Sequence, residues 1–189
     1  MTDSRLLPII PMAQSSHAKF IPRGPFVSIS VAQYAVESGY GAHLSGLNNP
    51  FGIQATAAQR AAGQARLVLS HEYVGGKYVP REEWFANYAS LEAAFDAHAV
   101  LLTTPHYQRC MDAQTPAAYA QALHDCGYAT APNYPQALMA VINSNGLEQY
   151  DKAVPAPPAA MTAPVAQAAP TPANEGLLER VKEFFSKGA

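Results

Sequence analysis

The chain has 189 residues, 49% of them hydrophobic and 14% charged, with a formal net charge of −2. That balance excludes a disordered polyelectrolyte, and the missing positive field argues against nucleic acid as a partner. No apolar run reaches the roughly 20 residues that a membrane-spanning helix needs.

The amino-terminal stretch Leu6-Leu7-Pro8-Ile9-Ile10-Pro11-Met12 is apolar but short and twice broken by proline. It has no small-residue cleavage site and does not read as a secretory signal, so the chain is expected to be made in the cytoplasm and to reach its target by another route. The first clear helix follows Arg23-Gly24-Pro25, with the proline placed in the first turn, where its missing N–H costs nothing. Val27, Val31, Tyr34 and Ala35 mark its apolar face, and Gly39 and Gly41 end it.

A hairpin comes next. Leu67, Leu69, His71 and Tyr73 alternate with Val68, Ser70, Glu72 and Val74, and Gly75-Gly76 turns the chain into Lys77-Tyr78-Val79. The remainder is helical. Ser90, Thr104-Pro105 and Thr115-Pro116 are cap signals, and a last helix over about 133–145 stops at Gly146. The class is therefore α+β, mostly α, with one small β hairpin.

Residues 1–150 read as one catalytic domain. Residues 151–173 read as a linker, because proline at this density blocks helix and sheet hydrogen bonding. In 174–189 the residues Leu177, Leu178, Val181, Phe184 and Phe185 oppose Glu179, Arg180, Lys182, Glu183 and Lys187, an amphipathic helix pattern. It suits an attachment peptide for a membrane or a protein partner, or a helix that docks back on its own domain. Cys110 and Cys126 form no CxxC pair, and no Cys/His cluster has zinc spacing. The plain reading is two buried thiols in a helical core, and a disulfide is the alternative.

Glu37 is the candidate for acid chemistry. It falls in the last turn of its helix, where unpaired carbonyls disfavour a carboxylate and hold the proton on. Tyr34, Val36 and Tyr40 can wall it. The plain alternative is a solvated glutamate near a helix end.

Four stretches together resemble one family. Ala32-Gln33-Tyr34-Ala35-Val36-Glu37-Ser38-Gly39-Tyr40-Gly41 is similar to the "AQxAxESGxG" signature of the glucosaminidases of glycoside hydrolase family 73. Asn48-Asn49-Pro50-Phe51-Gly52-Ile53-Gln54 resembles "NNLFGIK", Trp84 through Ser90 resembles "FRxYxS", and Gly127 through Tyr134 resembles "GYATDPxY". The resemblance implies a lysozyme-like helical domain with a β-hairpin lobe. It also implies an endo-β-N-acetylglucosaminidase acting on peptidoglycan glycan strands without metal or other cofactor.

By the same resemblance Glu37 is the general acid, and Glu72 is the second carboxylate that activates water or stabilises the oxocarbenium-like transition state. Glu82 and Glu83 are its nearby competitors. Tyr128 is the functional tyrosine, and Asn49, Phe51, Gly52 and Tyr134 are substrate-contacting positions. Asn49, Phe51 and Gly52 could instead only shape the turn below the cleft. Ala131 stands where the family pattern has aspartate, and Pro50 and Gln54 replace leucine and lysine. The rival outcomes are a lytic transglycosylase or muramidase on the same fold, or a wall-binding protein without turnover.

Overall fold

The computed structural model describes residues 1–20, 24–74, 77–129 and 131–152, and only the backbone at 70–74, 77–79 and 81. The expected Gly75-Gly76 turn, the linker beyond Lys152 and the terminal helix lie outside the described residues.

The chain starts with a helix that the sequence pattern did not announce, α1 (Ile10–Ala18). It carries few apolar residues and no side-chain cap, so its periodicity is weak. Pro11 sits harmlessly in its first turn, while Leu6, Ile9, Ile10 and Ala13 are buried. The broken apolar stretch near the start is thus part of the core.

Helix α2 (Val27–Ser38) is the axis of the fold, and all its residues are buried. Phe26 is its cap, so Pro25 stands just before the helix rather than inside its first turn. The far end of the described chain secures this start: the Ser28 amide donates to the Asp151 carboxylate at 2.8 Å, placing negative charge where the helix dipole favours it. Gly39, at φ 57°, ends the helix as expected, and the Tyr40 amide donates back to the Ala35 carbonyl at 3.0 Å.

Helix α3 (Ala57–Ala61) is a single turn opened by a capping box between Thr56 and Gln59. Strands β1 (Ala65–Val74) and β2 (Lys77–Ala86) then pair antiparallel, from Ala65 opposite Ala86 to Val74 opposite Lys77. The second strand runs further than its turn-proximal residues suggested. Its end is held by the loop before α3: Ala55 N donates to Trp84 O at 2.8 Å, and Ala86 N donates to Ile53 O at 2.9 Å.

Helix α4 (Leu91–Leu102) starts at Ser90, whose hydroxyl accepts from Ala93 N. Thr104-Pro105 opens only a 3-10 turn (Pro105–Tyr107) before the short α5 (Gln108–Asp112). Thr115 caps α6 (Pro116–Asp125), and α7 (Tyr134–Asn145) stops at Gly146, at φ 60°. Helices α1, α6 and α7 pack around α2, while α4 packs on α1. Tyr119, Tyr134, Phe51 and Phe95 are the largest side chains sealed in this core. The result is a mostly helical, lysozyme-like domain with a two-stranded β lobe, as expected.

Candidate active site

Glu37 lies in the last turn of α2 and has no exposed surface. Gln33 lies one helical turn earlier, on the same side of the helix. Tyr134, the first residue of α7, reaches between them: its hydroxyl donates to Glu37 Oε1 at 2.8 Å and accepts from Gln33 Nε2 at 3.0 Å. Burial, and then the neighbouring Glu37 carboxylate, push the Tyr134 phenol well above its ordinary range, so it stays a protonated donor. The bond holds one carboxyl oxygen of Glu37 in place.

The turn after Glu37 is equally determined. Ser38 Oγ donates to the Tyr34 carbonyl at 2.6 Å and accepts from Gly41 N at 2.8 Å. Gly41 adopts φ 85°, and a Cβ there would collide with the Tyr34 hydroxyl. The Glu-Ser-Gly-x-Gly pattern is therefore a backbone device that swings the chain away immediately after the acid.

Tyr128 sits on the segment between α6 and α7 and stacks on Tyr134, with ring centroids 6.1 Å apart. Burial and then Glu37 raise this phenol as well, and its hydroxyl meets no hydrogen-bond partner among the described residues. His98 of α4 meets Tyr128 edge-on and lies flat against Phe51 at 4.0 Å. Burial brings the His98 imidazole down to about 3, so it is neutral over the whole physiological range. The structure thus gathers Glu37, Tyr128 and Tyr134, with Phe51 behind them through His98.

Asn49, Phe51 and Tyr134 are sealed from solvent in this state, and their observed contacts are with the protein. Asn49 bridges the loop to the hairpin base: its Nδ2 donates to Ile53 O at 2.8 Å and to Ala86 O at 2.9 Å, and its Oδ1 accepts from Ile53 N at 3.1 Å. Gly52 turns the same loop at φ 62°. Glu72 occupies β1 opposite Val79, and of its two competitors Glu83 is buried while Glu82 is exposed. Gln33 entered the sequence reading only as part of the motif, with no role given to it; its place four residues before Glu37, one helical turn away, was the available signal.

Tyr134→Phe removes one hydroxyl and leaves two buried groups without it. We expect kcat to fall about tenfold or more. A donated bond favours the ionised carboxyl, so its loss should also move the basic limb of the kcat–pH profile to higher pH. An unchanged profile would make Tyr134 a packing residue only.

The glucosaminidase family model, described as mannosyl-glycoprotein endo-beta-N-acetylglucosaminidase, matches residues 22–147. The peptidoglycan hydrolase FlgJ of Pseudomonas aeruginosa is 30% identical over 82% of this chain and 40% of its own. A probable N-acetylmuramidase of Lactococcus lactis is 30% identical over 69% of this chain and 31% of its own. The chain therefore spans less than half the length of either relative. A crystal structure of a peptidoglycan hydrolase mutant from Sphingomonas sp. A1 superposes with a TM-score of 0.58 at 31% identity, covering 76% of this chain and 92% of that one.

Proposed function

We propose, from the premise that this chain belongs to the glucosaminidase family, that it hydrolyses the glycan strand of peptidoglycan as an endo-β-N-acetylglucosaminidase. The observation that carries this reading is the Gln33–Tyr134–Glu37 hydrogen-bonded chain set beside the Ser38-Gly39 turn. Glu37 passes its proton to the glycosidic oxygen of the leaving sugar. As it becomes a carboxylate, the hydrogen bond donated by Tyr134 strengthens and stabilises the new charge. Tyr128 acts through Tyr134 as a positioning residue. Glu37 has no exposed surface in this state, so the glycan must displace neighbouring side chains to reach it.

The second carboxylate comes from the hairpin. Glu72 is our assignment for activating water or stabilising the oxocarbenium-like transition state, and the burial of Glu83 on the same hairpin makes that residue the rival. Substituting each by glutamine separates them. Glu72→Gln should reduce kcat about 100-fold or more with little change in KM. A larger kcat loss from Glu83→Gln would transfer the role.

Purified sacculi digested with the chain should release muropeptides with reducing N-acetylglucosamine ends, read by mass spectrometry. Reducing N-acetylmuramic acid ends would favour the muramidase reading, which the name of the Lactococcus relative supports. Anhydromuramyl ends would favour a transglycosylase, and no release would leave a wall-binding protein.

The amphipathic stretch over 174–189 is proposed as an attachment peptide for a membrane or a protein partner, on its sequence pattern alone. Removing residues 154–189 should leave the thermal midpoint and hydrolysis of soluble glycan fragments nearly unchanged while lowering lysis of whole cells. A fall of many degrees, with hydrolysis lost, would show the segment to be part of the catalytic domain.

A further inference from the structure

The two cysteines are distant in sequence but close in the fold. Cys110 is in α5 and Cys126 closes the end of α6, and these helices pack on each other. Both are free thiols, and the segments that carry them are joined beside the cysteines: Arg109 pairs with Asp125 at 3.0 Å, and the Tyr107 and Tyr128 rings meet with centroids 6.0 Å apart. Cys110 is buried, while Cys126 is partly open to solvent. The backbone at Cys126 is held on both sides: its amide donates to Ala122 O at 2.9 Å, and its carbonyl accepts from His106 Nε2 at 2.8 Å. Two residues on is Tyr128, which packs on Tyr107 and Tyr134.

We propose that Cys110 and Cys126 are a built-in disulfide site, which closes when the chain meets a thiol–disulfide oxidant and ties α5 to the segment that carries Tyr128. With a small disulfide such as oxidised glutathione, the partly exposed Cys126 reacts first. Its thiolate attacks one glutathione sulfur, forms a mixed disulfide and expels one glutathione thiolate. Cys110 then loses its proton to solvent and attacks the Cys126 Sγ, expelling the second glutathione thiolate. Two protein thiols and one oxidised glutathione become one protein disulfide and two glutathione thiols. Burial pushes the Cys110 thiol up, so the second step is the slow one and should quicken with rising pH. Adjacency offsets this, because the mixed disulfide forms beside its only protein thiol competitor.

The closed loop of about 15 residues removes freedom from the unfolded chain, and the resulting rise in thermal midpoint should be about 5–10 °C. The test incubates the full chain with oxidised glutathione, then alkylates under denaturing conditions and weighs the product. Both thiols should disappear with loss of two hydrogens and no retained glutathione, the protein should stay monomeric on a non-reducing gel, and dithiothreitol should reverse the midpoint shift. Cys126→Ser and Cys110→Ser should each show no shift. Cys126 is the less buried position, so its variant remains informative if Cys110→Ser folds poorly. Two thiols still alkylated after long exposure, a stable glutathione adduct on the native sequence, a disulfide-linked dimer, or closure without a rise in midpoint would each overturn the proposal.

Discussion

Glu37→Gln is expected to lose at least 10²–10⁴ in turnover on glycan fragments while keeping its fold. Glutamine has the same shape, and its carbonyl oxygen can still accept the Tyr134 hydroxyl, which stands 2.8 Å from Glu37 Oε1. The thermal midpoint should therefore move little. What disappears is the proton. An amide cannot protonate a departing sugar oxygen, so the effect should fall on kcat, with KM nearly constant. Glu37→Ala is the contrasting variant, because it leaves the Tyr134 hydroxyl with one partner fewer inside the core and should cost stability as well as activity. Activity and circular dichroism, measured together, separate the two effects. Near-normal turnover by a folded Glu37→Gln chain would remove Glu37 from the role of acid.

The legible parts of the sequence were those with local chemistry. Ser90, Thr115, Gly39 and Gly146 are caps whose side-chain or backbone requirement is written in one residue, and they appear where expected. The hairpin was legible as alternation, but its extent was not. Strand β2 continues to Ala86 because residues 53–55 supply partners there, and a pairing between distant segments leaves no mark on either alone. Helix α1 was missed for a related reason: it is made helical by what it packs against rather than by an apolar stripe of its own. In the site, the position of Glu37 in the last turn of α2 could be read from the sequence, and its motif makes it the candidate acid. The Tyr134 contact could not, since it joins the first turn of α7 to the last turn of α2. Tyr128 and Tyr134 look alike in sequence, and only the fold shows which of them bonds to the carboxyl.

Asn49→Ala should destabilise the domain by roughly 2–4 kcal/mol, the largest stability effect expected from a single substitution near the site. Asn49 is fully buried and spends its donors on Ile53 O and Ala86 O and its acceptor on Ile53 N. Ile53 O retains the amide of Ala86, so the loss falls mainly on Ile53 N and Ala86 O. At about 2–4 °C per kcal/mol for a domain of this size, the midpoint should drop by about 5–15 °C. Aspartate tests the mechanism more sharply than alanine. It keeps the acceptor for Ile53 N but points a second oxygen at two carbonyls, so Asn49→Asp should be at least as destabilising as Asn49→Ala near neutral pH. Acid that protonates the new carboxyl restores a donor and should narrow the gap between the two. The same bonds fasten the end of β2 to the loop carrying Phe51, so activity should decline with stability. Thermal midpoints for the two variants at neutral and mildly acidic pH decide the matter. If aspartate proves the milder change at neutral pH, the donated bonds to Ile53 and Ala86 are not what holds the hairpin to the helical lobe.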